Sequence, residues 1–335
     1  MAGAPLTAFV MHPVVKEELL RPDHVDRLER CCQIVSPTPF RRFEELGAAR
    51  RDVQVIVTSW GCPRVDREAL FTLPGLRLVA HLGGSVKGFV DEAVWRTGVK
   101  VTNAVAANAI PVAEYTLAAI LFANKHVLKL ASFYREHQEH RAPWTKEAPR
   151  VGNYRKVVGV IGASHVGRRV LELLKPFDFK VLAYDPYIGA ADCRRLGAQK
   201  VGLSELLSAC DVVTLHVPLL PETHHMIGAR ELNLLKDGTT LINTARGAVC
   251  DPDALLAELT RGRLNAVLDT TEPEELPPRS PLFSLPNVLL TPHIAGSLGT
   301  ETQRLADYIV EEVERYSRGQ PLRWAVRHDE LQRLA

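Results

Sequence analysis

Short, almost wholly apolar runs rich in β-branched residues alternate along this chain with longer runs whose apolar positions recur every three or four residues. The short runs fall at 6–13, 53–60, 76–84 and 99–104 in the first part. They fall at 156–162, 180–186, 211–218, 239–245, 264–271 and 287–294 in the second. A half-exposed strand would alternate apolar with polar positions; runs apolar on both sides predict parallel strands covered by helices on both faces. Segments such as "PDHVDRLERCC" and "VDEAVWRTG" supply the intervening helices. Strand–helix alternation of this kind predicts an α/β fold with right-handed crossovers, and two separate series predict two sheets. The joint between them is read as one long helix over 111–137, with Pro111 in its first turn, where a missing N–H costs nothing. A polar, proline-bearing loop over 138–154 follows it, and "GSLGTETQRLADYIVEEVERYSRGQ" reads as a closing helix.

Composition narrows the function classes. A chain of 335 residues has room for about two domains. Its net charge of +2, with no basic run of five, offers no field for nucleic acid or an anionic membrane surface, so neither partner is expected. The N-terminus lacks a basic stretch followed by a long apolar core, so no secretory signal is expected. The most apolar long segment, 104–126, is interrupted by Asn108, Pro111, Glu114 and Asn124 and reads as a buried helix, not a membrane span. Cys31, Cys32, Cys62, Cys193, Cys210 and Cys250 match no zinc spacing and read as free thiols of a cytoplasmic protein.

One stretch calls for chemistry. In "KVVGVIGASHVGRRVLELLKPF" a strand meets a helix through Gly162-Ala163-Ser164-His165-Val166-Gly167. The pattern is that of a dinucleotide-binding turn, G-x-G-x-x-G, with serine at the middle glycine. Gly162 suits a sharp turn, Gly167 a close helix–strand approach, and the N–H groups of the first helical turn suit a pyrophosphate. The next strand ends in "LAYDP", which puts Asp185 18 residues after Gly167. An acid there accepts hydrogen bonds from a ribose diol and repels a 2′-phosphate, favouring NAD over NADP. Serine is small enough for the middle position. Its hydroxyl can cap the helix, contact phosphate, or both.

Three later strand ends carry groups suited to hydride chemistry: Arg246 after "LINTA", Asp269 and Glu274 in "AVLDTTEPEELPP", and His293 in "NVLLTPHIAGS". All lie at the carboxyl edge of predicted parallel strands, where open α/β sheets bind ligands. Reducing a 2-keto acid requires a proton donor, which an imidazole provides near neutral pH, and a cation for the carboxylate, which a guanidinium provides in a planar fork. Taken singly, each has an ordinary reading as a surface cation, a solvated acid or a turn histidine. His137, His140 and His328 read as surface residues, and the adjacent His224 and His225 as loop residues; no metal site is expected.

Taken together, the motifs from about 80 to 297 resemble the NAD-dependent D-2-hydroxyacid dehydrogenase family. "VAEYTLAAIL", the glycine turn with "YDPY", "DVVTLHVPLLPETHHMI", "LINTARGAVCDPDALLAEL" and "VLDTTEPEELPPRSPLFSLPNVLLTPHIAG" carry the resemblance. It implies a Rossmann-type NAD domain (104–297) inserted into a flavodoxin-like substrate domain (1–103 plus 298–335), substrate in the cleft between them, and a homodimer. It implies His293 as acid/base, Glu274 as its partner and Arg246 as substrate anchor. It assigns Gly162, Ser164, His165, Val166, Gly167, Asp185, His216, Val217, Pro218, Thr244, Ala245 and Asp269 to the cofactor, Asp269 through the nicotinamide carboxamide. In "HLGGSVKGF" it assigns Gly84 and Ser85 to the substrate carboxylate. Lys87 stands where the family usually has an acid, and reads either as facing a second anionic group on the substrate or as facing solvent.

The family's formate-oxidising branch has glutamine where this chain has Glu274, which argues against that activity. No long C-terminal extension is visible, so a regulatory domain like that of some phosphoglycerate dehydrogenases is not expected. The expected activity is interconversion of a 2-keto acid, such as glyoxylate or hydroxypyruvate, with its D-2-hydroxy acid. The rival from another class is an NAD(H)-sensing dimeric binding protein of corepressor type. A nucleotide-binding methyltransferase also fits the early strands, but not Arg246, Glu274 and His293.

Overall fold

The computed structural model describes residues 3–138 and 151–329. His140 and most of the loop expected over 138–154 lie outside the described residues. The chain forms two compact units, Met1–Asn108 with Ser297–Leu334, and Ala109–Gly296.

The first unit holds five parallel strands: β1 (Leu6–Val10), β2 (Gln33–Ile34), β3 (Val55–Thr58), β4 (Leu78–His81) and β5 (Lys100–Asn103). Their order, β2-β1-β3-β4-β5, is that of flavodoxin-like doubly wound sheets. The second holds seven: β6 (Val157–Ile161), β7 (Lys180–Tyr184), β8 (Gln199–Lys200), β9 (Val212–Leu215), β10 (Thr240–Asn243), β11 (Asn265–Leu268) and β12 (Val288–Leu290). Their order, β12-β11-β10-β9-β6-β7-β8, is parallel throughout. It is the Rossmann order with one added strand, and it reverses direction between β6 and β9.

Alternate residues of each strand feed separate cores. In β3, Val55 and Val57 join one cluster and Ile56 the other. In β11, Ala266 and Leu268 join one and Val267 the other. Successive side chains of a strand point to opposite faces, so both sheets are covered on both sides, as the wholly apolar runs predict.

The strands are shorter than the apolar runs, because each run continues into the buried turn that follows; 53–60 yields only Val55–Thr58. β2 and β8 have no apolar run at all. Each is a two-residue edge strand with an exposed glutamine, held by one neighbour.

The long helix departs from expectation in two ways. It begins at Val105, where Asn103 Oδ1 accepts the Val105 N–H, so Pro111 lies inside it and not in its first turn. It also stops at Asn124 and resumes at Val127–His137, because His126 adopts a left-handed φ of 49° that the i→i−4 ladder cannot pass through. The segment Val105–Asn124 is long and apolar enough to cross a membrane by length and composition. Its Ala113, Ala119 and Ile120 pack with Val158, Val160 and Ile242.

The closing helix, Thr302–Ser317, buries Leu305, Ala306, Ile309, Val310 and Val313 against Phe9, Leu78 and Ala80 of the first unit. Glu312 on the same helix is fully buried. It accepts the N–H groups of Arg323 and Trp324, each at 2.9 Å, and faces the Thr102 hydroxyl at 3.2 Å. All six cysteines are free thiols.

Candidate active site

The glycine turn sits where the second sheet reverses its strand order. Gly162 has φ +93°, and a β-carbon there would lie 2.7 Å from the His216 carbonyl carbon after β9. A β-carbon at Gly167 would lie 1.9 Å from Gly162 O. No side chain fits either position, so both glycines follow from how closely the helix His165–Leu174 approaches the strand ends. Ser164 is the N-cap of that helix. Its hydroxyl donates to His216 O at 2.8 Å and accepts from Gly167 N at 3.5 Å. The hydroxyl's single proton is thus committed within the turn. His165 is exposed and Val166 half-buried on the first helical turn.

Asp185 ends β7 and reaches back into the turn: Oδ2 accepts Ala163 N at 2.7 Å, and Oδ1 accepts Tyr187 N at 2.7 Å and Ile188 N at 3.2 Å. A carboxylate has about four acceptor sites, so it retains capacity for a ribose hydroxyl. A helix N-terminus at a turn framed by Gly162 and Gly167, with an acid one strand away, fits a dinucleotide.

The "HVP" segment packs directly against the glycine turn. His216 and Val217 are buried, and only Pro218 is partly exposed, so the His216 side chain backs the turn and does not line a groove. Burial pushes the His216 imidazole down to about 3. It stays neutral, with Nε2 2.9 Å from Thr214 Oγ1.

The chemistry-bearing residues cluster at the ends of β10, β11 and β12. Beyond β10, Asn243 folds the chain back on itself, donating to Arg246 O at 2.9 Å and accepting from Ala245 N at 3.0 Å. Thr244 is buried and bonds Thr116 of the long helix at 3.2 Å. Arg246 is half-buried; Nη1 donates to Ala245 O at 2.6 Å, and among the described residues no carboxylate pairs with it. A guanidinium left without a protein acid is suited to an anionic ligand.

Beyond β12 the chain makes a tight turn that Asp269 holds from beneath. The buried Asp269 Oδ1 accepts Thr291 Oγ1 at 2.7 Å and Ile294 N at 2.8 Å, and Oδ2 accepts Ala295 N at 2.9 Å. His293 tops this turn with φ +54°, its N–H bonded to Asp269 O at 3.0 Å. Its Nδ1 meets Glu274 Oε1 at 2.5 Å, and both side chains are about half exposed. The carboxylate takes Nδ1, which leaves Nε2 as the nitrogen for proton exchange.

Sequence reasoning missed three contributors. Thr291 links Asp269 to Tyr115 of the long helix, whose hydroxyl lies 2.8 Å from Thr291 Oγ1. Gly247 is forced by proximity, since a β-carbon would lie 2.0 Å from the Thr271 carbonyl. Glu272 binds His225. Only Gly247 left a visible trace, as the residue after Arg246.

In the first unit, Gly84 and Ser85 are half-buried in the loop after β4, and Ser85 Oγ accepts Lys87 N at 3.2 Å; Lys87 is exposed. A β-carbon at Gly84 would meet nothing within 4 Å. His81, at the end of β4, bonds Thr58 at 3.0 Å, and burial lowers its imidazole to about 4.

The chain is similar to known proteins over most of its length. A sequence profile of the D-isomer specific 2-hydroxyacid dehydrogenase NAD binding domain matches residues 117–295. A D-3-phosphoglycerate dehydrogenase of Methanocaldococcus jannaschii is 32% identical over 314 residues, 92% of this chain and 58% of that protein. The chain therefore spans little more than half the length of that relative. A glyoxylate reductase of Aeropyrum pernix is 32% identical over 281 residues, covering 83% of this chain and 84% of the relative. The crystal structure of the TT0316 protein from Thermus thermophilus superposes with a TM-score of 0.73 at 28% identity, over 96% of this chain and all of that one. With its Rossmann sheet, its glycine turn and this similarity across most of its length, the chain belongs to the D-isomer specific 2-hydroxyacid dehydrogenase family.

Proposed function

We propose that this protein is an NAD(H)-dependent dehydrogenase that interconverts a 2-keto acid and a D-2-hydroxy acid. The carrying observation is the contact of His293 Nδ1 with Glu274 Oε1 at 2.5 Å. A carboxylate there takes Nδ1 and fixes the ring, leaving Nε2 to deliver a proton. NADH, when bound, would supply the hydride for C2 of the keto acid, held by the turn 162–167 and Asp185. His293 gives its Nε2 proton to the carbonyl oxygen and recovers one from solvent. Arg246 grips the carboxylate and keto oxygen in its planar fork and polarises the carbonyl. In the reverse direction His293 takes the hydroxyl proton and Glu274 stabilises the imidazolium.

On the cofactor side, the turn 162–167 takes the pyrophosphate on the N-terminal N–H groups of the following helix. Asp185 takes the adenosine ribose diol, which favours NAD(H) over NADP(H). Thr244, Ala245, Val217 and Pro218 border the nicotinamide half. Asp269 has one acceptor site left for the carboxamide beside the three donors it already binds. Gly84 and Ser85 offer backbone N–H groups to the substrate carboxylate, and Lys87 faces a second anionic group. Relatives named for glyoxylate and for D-3-phosphoglycerate support short keto acids, with or without a distal phosphate. A homodimer is supported by exposed Phe122 and Leu128, which flank an apolar groove along the two halves of the long helix.

The test is NADH consumption against a panel of glyoxylate, hydroxypyruvate, a phosphorylated hydroxypyruvate and phenylpyruvate, with His293→Ala as control. Turnover of at least one acid, with kcat lower by roughly 100-fold or more in the variant and NADH binding retained, is the expected outcome. No turnover with NADH or NADPH would overturn the reading and favour a dinucleotide-sensing binding protein. Equal losses of kcat/KM on mono- and dianionic acids in Lys87→Ala would remove Lys87 from specificity.

A further inference from the structure

The loop after β9 and the loop after β11 meet at three side chains that hydride chemistry does not use. His224 and His225 stack with ring centroids 3.9 Å apart and planes inclined by 24°. His225 Nε2 lies 2.7 Å from Glu272 Oε2, and His224 Nε2 lies 3.9 Å from Glu272 Oε1. The three donor groups present one ligand atom each, all within 4.8 Å of one another. Among the described residues Glu272 pairs with no lysine or arginine, so its charge faces only imidazoles.

We propose that His224, His225 and Glu272 form a binding site for a divalent transition metal of the zinc class, with water completing the shell. Two imidazoles and a carboxylate are a donor set that suits Zn²⁺ and Co²⁺. Bonds of about 2.0–2.2 Å at tetrahedral angles place donor atoms roughly 3.3 Å apart. With Glu272 Oε2 as the ligand atom, its 2.7 Å contact with His225 Nε2 would open by roughly 0.6 Å. The stacked rings must also splay so that both lone pairs converge on one ion. His224 is half exposed and His225 and Glu272 about one-third exposed, so rotation of the side chains suffices.

The site would act on the neighbouring loops. His225 N donates to Ala248 O at 2.8 Å, two residues beyond Arg246. Gly247 packs on the backbone of Thr271 and Glu272. Glu272 precedes Glu274 by two residues. An ion held here would pin the loops 224–225, 246–248 and 271–274 to one another, and with them the backbone that carries Arg246 and Glu274.

The experiment is titration of the dialysed full chain with Co²⁺, read by its visible ligand-field absorption, and with Zn²⁺ by calorimetry, without NAD or keto acid. One ion per chain is expected, weakened at least about tenfold in each of Glu272→Gln, His225→Ala and His224→Ala. Zn²⁺ should raise the thermal midpoint of the parent by several degrees and leave that of Glu272→Gln unchanged. His224→Ala removes an exposed side chain and should fold normally, which guards against misfolding as the cause of lost binding. The adjacent thiols Cys31 and Cys32, 3.6 Å apart, are the competing soft site, so the double alanine variant there must retain the ion. Unchanged affinity in the three site variants, absence of stoichiometric binding, or loss of the ion in the cysteine variant would overturn the proposal. None of these readouts depends on dehydrogenase activity, so either proposal can fail without the other.

Discussion

The two units use the same device for different ends. In the first, buried Glu312 takes two successive backbone N–H groups, Arg323 and Trp324, and faces the Thr102 hydroxyl. In the second, buried Asp269 takes one threonine hydroxyl, from Thr291, and two successive N–H groups, Ile294 and Ala295. In each a carboxylate replaces water for a bend that no sheet ladder can satisfy. At Glu312 the bend is the chain segment lying beside β5. At Asp269 the bend carries His293. Placement of the His293 imidazole thus needs no special chemistry underneath it; an ordinary structural clamp suffices to hold the turn it tops.

The sharpest way to break this comparison is to remove both carboxylates in turn. Asp269→Ala and Glu312→Ala each strand buried donors and should each cost roughly 3 kcal/mol or more, seen as a lowered thermal midpoint. Only Asp269→Ala should also lower kcat, by about 100-fold, because a misplacement of about 1 Å at a catalytic group has that scale. Equal kcat losses in the two variants would show that the clamps are not functionally distinct.

Acid titration compares two buried imidazoles next. His81 in the first unit and His216 in the second are held neutral by burial, at about 4 and about 3. The unfolded chain protonates a histidine near about 6.5, so below that pH it binds protons that the folded units refuse. Stability should therefore be full above about pH 6.5 and fall as pH drops toward 4. Between pH 6.5 and 5 the loss should be about 2 kcal/mol for His216 and less for the partly exposed His81. Thermal midpoints of His216→Gln and His81→Gln against pH measure it; each variant should show a shallower acid slope than the parent.

Smaller effects come from the hydroxyls. Thr291→Val should cost about 1 kcal/mol and several-fold in kcat, because Thr291 joins Tyr115 to Asp269. Thr102→Val should cost less and leave kcat alone, since its single proton is shared between Glu312 and Trp324 O. Smallest of all, Ser164→Gly should change the dissociation constant for NADH by less than about fivefold, since glycine is nearly as good an N-cap. Ser164→Leu should abolish NADH binding by placing bulk at the pyrophosphate, and fluorescence titration distinguishes the two.

Almost wholly apolar runs bounded by glycine, proline and polar residues were enough to read two parallel α/β series and ten of the twelve strands among the described residues, because burial on both faces leaves a strong local imprint. The glycine turn, Asp185, Arg246 and His293 were legible as candidates because they lie at the ends of such runs, and Glu274 because it lies in the loop that follows one. The edge strands β2 and β8 left no imprint, since one neighbour's hydrogen bonds define them. Pro111 inside the helix and the break at His126 were likewise settled by backbone geometry beyond the reach of residue preference.

The resemblance paired Glu274 with His293, and the folded chain brings them together across 19 positions; only the tertiary structure set Glu272 against His224 and His225 and turned Asp269 and Glu312 into clamps. The physical reason is one of range. Periodicity and turn chemistry act over a few residues and are written locally. The partner of a buried carboxylate or of an imidazole is chosen by which distant loops the folded sheet brings to the same edge.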